Sequence, residues 1–197
     1  MSDPSTAAPK HHRCPWWIQY LLASPIRRFL EPADRLIGPD VGPGMTVVEP
    51  GCGFGHVSLA LARRVGPSGR VLAVDVEPRV VERLNLRARK AGLEGRIRAS
   101  ACGPRDLGLA EHAGQVDRVV AIHVVHELED LPGFLDQVRA LLRPEGRLRI
   151  VEPRHHVSAS AFAETLRTCA AHGLVEVDAP ASPRRRLEAN LAPAREG

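Results

Sequence analysis

Aromatic side chains are scarce: the 197 residues hold four Phe, two Trp and one Tyr. With so few rings to stack on bases, and a net charge of only +4 spread along the chain, the arginines read as a solvated surface. Nucleic acid is not an expected partner. Cysteine is sparse as well. Cys14, Cys52, Cys102 and Cys169 are widely separated, with no C-x-x-C pair, which favours free thiols in a reducing compartment over a disulfide framework. No apolar run approaches the length of a membrane span, and a signal-peptide pattern is missing from the first residues. A cytoplasmic location without a membrane partner is therefore expected. A hydrophobic share of 44% beside 25% charged residues suits one domain that buries a sizeable core.

What is present is glycine, concentrated in one place. Thr46-Val47-Val48 is a short β-branched run, Glu49 closes it, and Gly51, Gly53 and Gly55 follow at every second position. The apolar-periodic stretch Val57–Val65 comes next, so a buried strand passes through a glycine turn into a helix. Glycine lets the backbone turn sharply and approach a ligand with no Cβ in the way, and the helix behind it directs free N–H groups and a positive dipole end at that ligand. A dinucleotide fingerprint, G-x-G-x-x-G, would need glycine where His56 stands. The sequence reads E-x-G-x-G-x-G instead, which resembles the first motif of class I S-adenosylmethionine-dependent methyltransferases. The resemblance implies that Gly51, Cys52, Gly53 and Gly55 pack against the methionine part of the cofactor and that Glu49 lies near its amino group. A glycine-rich turn without a ligand is the competing reading.

A second feature agrees independently. Val71-Leu72-Ala73-Val74 reads as a fully buried parallel strand, and Asp75 ends it, 20 residues after Gly55. A carboxylate at that place can accept two hydrogen bonds from a ribose diol. In the resemblance Asp75 binds the adenosine ribose and Val76 lies beside the adenine. Many family members place an acid just after the third strand to read the adenine amino group. Here Ala101-Cys102-Gly103-Pro104 stands there and Asp106 comes late, so Ala101, Cys102 and Asp106 all remain candidates for the adenine contact.

The rest alternates strand and helix. Strands are expected at about 45–49, 70–75, 96–100, 116–122, 147–152 and 174–177. Helices are expected at about 56–65, from Pro78 to a cap at Gly92, at 131–142, and from Ser158 or Ser160 to about His172. Val80, Leu84, Ala88 and Ala91 form the apolar face of the second helix, Asp130 caps the third, and Arg143-Pro144-Glu145-Gly146 ends it. Residues 184–191 are expected to return as a final antiparallel strand.

Chemistry-bearing residues gather at two strand ends. His123-Val124-Val125-His126-Glu127 follows the fourth strand and Glu152-Pro153-Arg154-His155-His156 ends the fifth. Four of the nine histidines lie in these two turns. Open α/β sheets bind ligands in the crevice at the carboxyl ends of their strands. Methyl transfer from a sulfonium needs donor and acceptor held in line and, where required, the acceptor's proton removed. A histidine oriented by a carboxylate suits that task. The expected base is His126, oriented by Glu152 or Glu127, with His156 also in the pocket and His123 contacting the cofactor. A divalent metal is the other reading of the same donor types, but H-x-x-H-E matches neither H-E-x-x-H nor H-x-x-E-H. A third reading leaves the histidines as polar rim. No Asn-Pro-Pro-Tyr or Asp-Pro-Pro-Tyr sequence occurs, which argues against methylation of an adenine amino group or a glutamine amide.

The resemblance thus implies a single α/β Rossmann-like, doubly wound, mostly parallel seven-stranded sheet with a carboxyl-terminal antiparallel hairpin. Residues 1–13 are expected to be a disordered tail and 14–41 a set of short helices, a lid or a brace that carries Trp16 and Trp17. The cofactor domain would be 42–197. The expected activity is transfer of a methyl group from S-adenosyl-L-methionine, leaving S-adenosyl-L-homocysteine, to a small-molecule acceptor, by a monomer or homodimer. Thiol or metalloid methylation through Cys14, Cys102 or Cys169 is an alternative within catalysis, and a regulatory module that only senses the cofactor is one outside it.

Overall fold

The computed structural model describes residues 32–178 and 186–194. The expected tail, the helices before Pro32, the two tryptophans, Cys14 and the turn at 179–185 lie outside the described residues. Five helices are described: α1 (Ala33–Ile37), α2 (His56–Val65), α3 (Pro78–Lys90), α4 (Leu131–Leu141) and α5 (Ala159–Ala171). Seven strands form one sheet: β1 (Thr46–Pro50), β2 (Arg70–Asp75), β3 (Ile97–Ala101), β4 (Val116–Ile122), β5 (Leu142–Pro153), β6 (Leu174–Asp178) and β7 (Arg186–Pro193). Their order is β3-β2-β1-β4-β5-β7-β6. The first five are parallel to one another, and β7 runs antiparallel between β5 and β6.

Side-chain alternation along the strands feeds two cores. Val48, Leu72, Val74 and Val119 point to one face, beneath Phe134, Leu135 and Val138 of α4 and Phe162 and Cys169 of α5. Val47, Val71, Ala73 and Val120 point to the other, where α1, α2 and α3 supply Leu36, Leu61, Ala62, Val65, Leu84 and Ala88. A strand with both neighbours covered is apolar at every position, which explains the unbroken valine-rich runs. The caps follow the sequence signals. The Asp130 side chain accepts the Gly133 N–H at 3.0 Å, and the Ser158 hydroxyl, rather than Ser160, accepts the Ala161 N–H at 3.1 Å. Gly173, with φ of 72°, follows α5.

Three expectations are corrected. Ala91 does not extend the apolar face of α3; it is the exposed C-cap, and Leu93 fills the core there instead. Arg143–Gly146 does not separate α4 from a strand starting at Arg147. β5 begins at Leu142, opposite Val116, and the next paired residues are Arg147 and Arg118. The four residues form an irregularity inside the strand, so their turn chemistry is used as a bulge. The final strand is displaced by two residues, to Arg186–Pro193.

One polar group crosses the apolar layer. The Arg149 guanidinium on β5 donates to the Leu36 carbonyl at 2.6 Å, to Asn190 Oδ1 at 3.0 Å and to Glu188 Oε2 at 2.8 Å. Arg149 and Glu188 are both buried, so the pair ties α1 and β7 to the centre of the sheet. Removing one member of a buried ion pair is far costlier than replacing both by apolar groups. Arg149→Ala is expected to lower unfolding free energy by about 3–5 kcal/mol, while the Arg149→Met, Glu188→Leu double variant recovers most of it. Denaturant titrations of the three proteins check this, and a single variant within about 1 kcal/mol of wild type contradicts it.

Candidate functional site

Strand order reverses between β1 and β4, so the loops leaving these two strands diverge and open a crevice at their carboxyl ends. The glycine turn forms one wall. Gly51, Gly53 and Gly55 have φ of 65°, 52° and 78°, a region L-residues rarely enter. Space sets their separate requirements. A Cβ on Gly51 would lie 2.7 Å from Val124 Cγ2, and one on Gly55 would lie 2.2 Å from Leu84 Cδ1. At Gly53 nothing stands within 4 Å of that position. The first and third glycines therefore serve packing, and the middle one presents bare backbone to open space.

Two carboxylates stand behind this wall. Glu49, at the end of β1, is 3% exposed. Its carboxyl meets Ser58, a buried hydroxyl on α2, while Oε2 has no hydrogen-bond partner. Burial, reinforced by the neighbouring Asp75 charge, pushes its pKa up to about 8 despite the Ser58 contact. Asp75 accepts the Gly53 N–H at 2.9 Å on one oxygen and the Glu77 N–H at 3.1 Å on the other. Its pKa is raised by burial and lowered in part by those N–H groups. Among the described residues no arginine, lysine or histidine forms an ion pair with either acid. Between them lies Cys52, 5% exposed, its thiol pKa raised first by burial and then by Glu49 and Asp75. The pocket is thus anionic in potential and has no internal cation.

The remaining cofactor candidates line the rim. Val76 is 53% exposed beyond Asp75. Ala101 is exposed at the end of β3, and Cys102 is half-buried with its thiol pushed up to about 11 by burial. Asp106 Oδ1 accepts the Gly108 N–H at 2.8 Å and so shapes its own loop.

The opposite wall is the turn after β4. His123 has φ of 56°, the sole non-glycine residue with positive φ among the described residues, and its N–H donates to the Val151 carbonyl at 2.8 Å. Backbone in that region is costly and clusters at functional sites. A single 3₁₀ turn, Val125–Glu127, follows. Glu152, 1% exposed at the end of β5, anchors it: Oε1 accepts the Val125 and His126 N–H groups at 2.8 and 3.2 Å, and Oε2 lies 2.5 Å from His126 Nδ1. That hydrogen bond raises the His126 pKa above its ordinary value, against the opposing effect of partial burial. Nε2 is left facing the crevice, 3.9 Å from Glu127 Oε1. Of the two carboxylates expected to orient His126, Glu152 does so. Glu127 is raised in pKa by burial and stands beside the ring's free edge. His156 is exposed on the rim, edge-on to His126 with ring centres 5.7 Å apart, and to His155 at 4.4 Å. Its pKa is lowered by burial first and by the two neighbouring rings.

Residue reading missed Ser58 and Arg87. Ser58 is a polar residue on the buried face of α2, between Val57 and Leu61, and that position was its signal. The Arg87 guanidinium donates to the Phe54 carbonyl in the glycine turn; its only trace in sequence is the three-residue step from Leu84. Cys169 is fully buried in the core, its thiol pushed up to about 11, which removes it from the crevice. Among the described residues no group of three or more His, Cys, Asp or Glu is arranged to hold a metal ion, and no helix is long and apolar enough to cross a membrane.

Comparison with known proteins adds to this geometry. A family model described as a methyltransferase domain matches residues 42–182. Nocamycin O-methyltransferase of Saccharothrix syringae is 32% identical over 132 residues, 66% of this chain and 46% of that protein. A ubiquinone biosynthesis O-methyltransferase of Methylocella silvestris is 31% identical over 132 residues, 67% of this chain and 48% of that protein. The chain therefore spans about half the length of these curated relatives. Among solved structures, a SAM-dependent methyltransferase from Aquifex aeolicus has a TM-score of 0.79 at 20% identity, covering 91% of this chain and 98% of that one. Geranyl diphosphate methyltransferase in complex with SAM has a TM-score of 0.66 at 20% identity, covering 89% and 87%. At these identities the structural likeness speaks to the fold.

The Glu49 environment makes a prediction about stability. Its folded pKa, about 8, lies above the ordinary value of 4.5. Between those values the folded chain keeps a proton that the unfolded chain has released, so stability falls as pH rises from about 4.5 to about 8. Glu49→Gln is expected to remove that slope, leaving the ligand-free protein more stable than wild type by about 2–3 kcal/mol near pH 7 and nearly unchanged near pH 4.5. Denaturant titrations at both pH values test it; a variant less stable than wild type at neutral pH contradicts it.

Proposed function

The chain belongs to the methyltransferase-domain family, whose model spans residues 42–182, and from that premise we propose that it transfers a methyl group from S-adenosylmethionine to a hydroxyl of a small-molecule acceptor. The observation that carries the proposal is the pairing of two half-sites across one crevice: an acidic, backbone-walled pocket at the ends of β1 and β2, and a His–Glu dyad at the ends of β4 and β5.

The residues fit the cofactor. The unpartnered Glu49 oxygen suits its ammonium group, the open backbone at Gly53 suits its close approach, and Asp75 and Val76 suit the ribose and adenine. Gly51, Cys52, Gly55, Ala101, Cys102 and His123 complete the contour in this reading. When bound, the cofactor supplies an electrophilic methyl group that needs no further activation.

The protein's part is position and proton removal. With Nδ1 held by Glu152 at 2.5 Å, Nε2 is the nitrogen that can take the acceptor's proton. Glu152 also stabilises the imidazolium that results, as its raised pKa indicates. Glu127 stands where it can accept a hydrogen bond from an acceptor hydroxyl or steady the protonated ring, and His156 closes the rim. The names of the two relatives above support oxygen as the acceptor atom and a small molecule as its bearer.

Methyl-labelled S-adenosylmethionine incubated with the protein and a metabolite extract is expected to place label in a small, base-stable product; the absence of any labelled product, with S-adenosylhomocysteine binding intact, would favour a sensing module. His126→Ala is expected to lower turnover by about 10²–10⁴-fold, the range for a general base, with S-adenosylhomocysteine affinity within about threefold. Because the dyad raises the His126 pKa, wild-type kcat/KM should fall on the acid side of an apparent pKa above the ordinary 6.5. Full turnover in His126→Ala sinks the base assignment.

A further inference from the structure

We propose that Arg87 is a positioning residue for the cofactor turn: its guanidinium on α3 holds the Phe54–Gly55 peptide in the one orientation that leaves the pocket open. The inference rests on the cofactor site proposed above and extends it to a helix outside the crevice.

The turn is pinned at three points. The Gly53 N–H donates to Asp75, the Gly55 N–H donates to the Cys52 carbonyl at 3.0 Å, and the Phe54 carbonyl accepts from Arg87. The peptide between Phe54 and Gly55 is planar, so its C=O and N–H point in opposite directions. The N–H is turned in toward Cys52 and the C=O is turned out toward Arg87. Glycine tolerates both signs of φ with little penalty, so nothing in the local covalent structure at Gly53 and Gly55 prevents this peptide from turning over. A flip would break the Gly55–Cys52 bond and carry the Phe54 carbonyl away from α3. It would also change the surface that the middle of the turn presents to its open side.

Helix α3 is built to oppose that flip. Leu84 and Arg87, three residues apart, share one face. Leu84 occupies the space beside Gly55 that any side chain there would need, and Arg87 takes the adjoining carbonyl. The same helix starts at Pro78, two residues after Val76, and its N-cap residue Glu77 donates its N–H to Asp75. One rigid element thus fixes both the carboxylate expected to read the ribose and the backbone expected to face the methionine part. Arg87 also lines an open polar cavity of about 260 Å³ with His56 and Arg63. Water can therefore replace a shortened side chain, and no sealed void is left to unfold the domain.

The test uses the whole chain and S-adenosylhomocysteine as the probe. Arg87→Ala is expected to weaken its binding by about 10–30-fold in calorimetry and to raise KM for S-adenosylmethionine similarly, with kcat within about threefold and the ligand-free melting temperature little changed. Arg87→Lys, which keeps a cationic donor, should recover most of the affinity. In amide spectra of Arg87→Ala, Gly53 and Gly55 should shift or double while α4 and α5 signals stay put. Wild-type affinity in Arg87→Ala overturns the inference, as does a loss confined to kcat. An Arg87→Lys variant no better than Arg87→Ala likewise overturns it. Failure of wild type itself to bind S-adenosylhomocysteine would instead overturn the cofactor reading, so the two outcomes are distinguishable.

Discussion

Two buried carboxylates without a cation between them set the character of this molecule. Glu49 and Asp75 sit at the ends of adjacent strands, and neither has an ion-pair partner among the described residues. Isolated charge in a low-dielectric interior is costly, and the group answers by holding its proton. The protein therefore carries an electrostatic debit at neutral pH that any cation entering the pocket would cancel. Such a pocket selects for positive charge by differential desolvation. It selects for a particular cation by what surrounds the acids: bare backbone at Gly53, the Ser58 hydroxyl behind Glu49, and N–H groups on both Asp75 oxygens.

Across the crevice the arrangement is the opposite in kind. Glu152 is as deeply buried as Glu49 but is fully engaged, by two backbone N–H groups and one imidazole. Three hydrogen bonds to one carboxylate fix both the 3₁₀ turn and the ring, so His126 is presented on a rigid support and not on a swinging loop. The difference between the two acids follows from their neighbours. β1 delivers Glu49 to a face where α2 offers one hydroxyl, whereas β5 delivers Glu152 under a turn whose amides all point down at it. One acid is left available for a ligand, and the other is committed to holding a base.

Much of this was legible in the residues because it depends on period and punctuation. Valine-rich runs marked the covered strands, Asp130 and Ser158 marked helix starts, and the register of Asp75 to the glycines marked the cofactor side before any coordinates. Misreadings arose where a local signal was absorbed by a tertiary one. Pro144 and Gly146 carry a breaker signal, yet pairing of Leu142 with Val116 draws them into β5 as a bulge. Ala91 continues a helical face in sequence, but α3 has already reached its cap. The choice between Glu127 and Glu152 could not be made from spacing, since one is a sequence neighbour of His126 and the other arrives from a different strand. Arg87 and Arg149 were hidden for the same reason: each acts on backbone or side chains more than thirty residues away.

The two walls are not independent, and Gly51 is where they meet. Its backbone lies so close to Val124 that a single added carbon would stand 2.7 Å from Cγ2. Val124 immediately precedes the turn that carries His126, and its carbonyl accepts the Glu127 N–H at 3.0 Å. A shift of the glycine loop therefore cannot occur without pressing on the turn that holds the imidazole, because packed interiors transmit displacement and do not absorb it. The strand order makes this contact unavoidable, since β1 and β4 are neighbours and their loops leave the sheet side by side. Glycine at 51 is thus required by the opposite wall as much as by its own φ of 65°. The consequence is geometric coupling: whatever settles the loop against a ligand also sets the height of the base above it, which is the relation an in-line transfer needs.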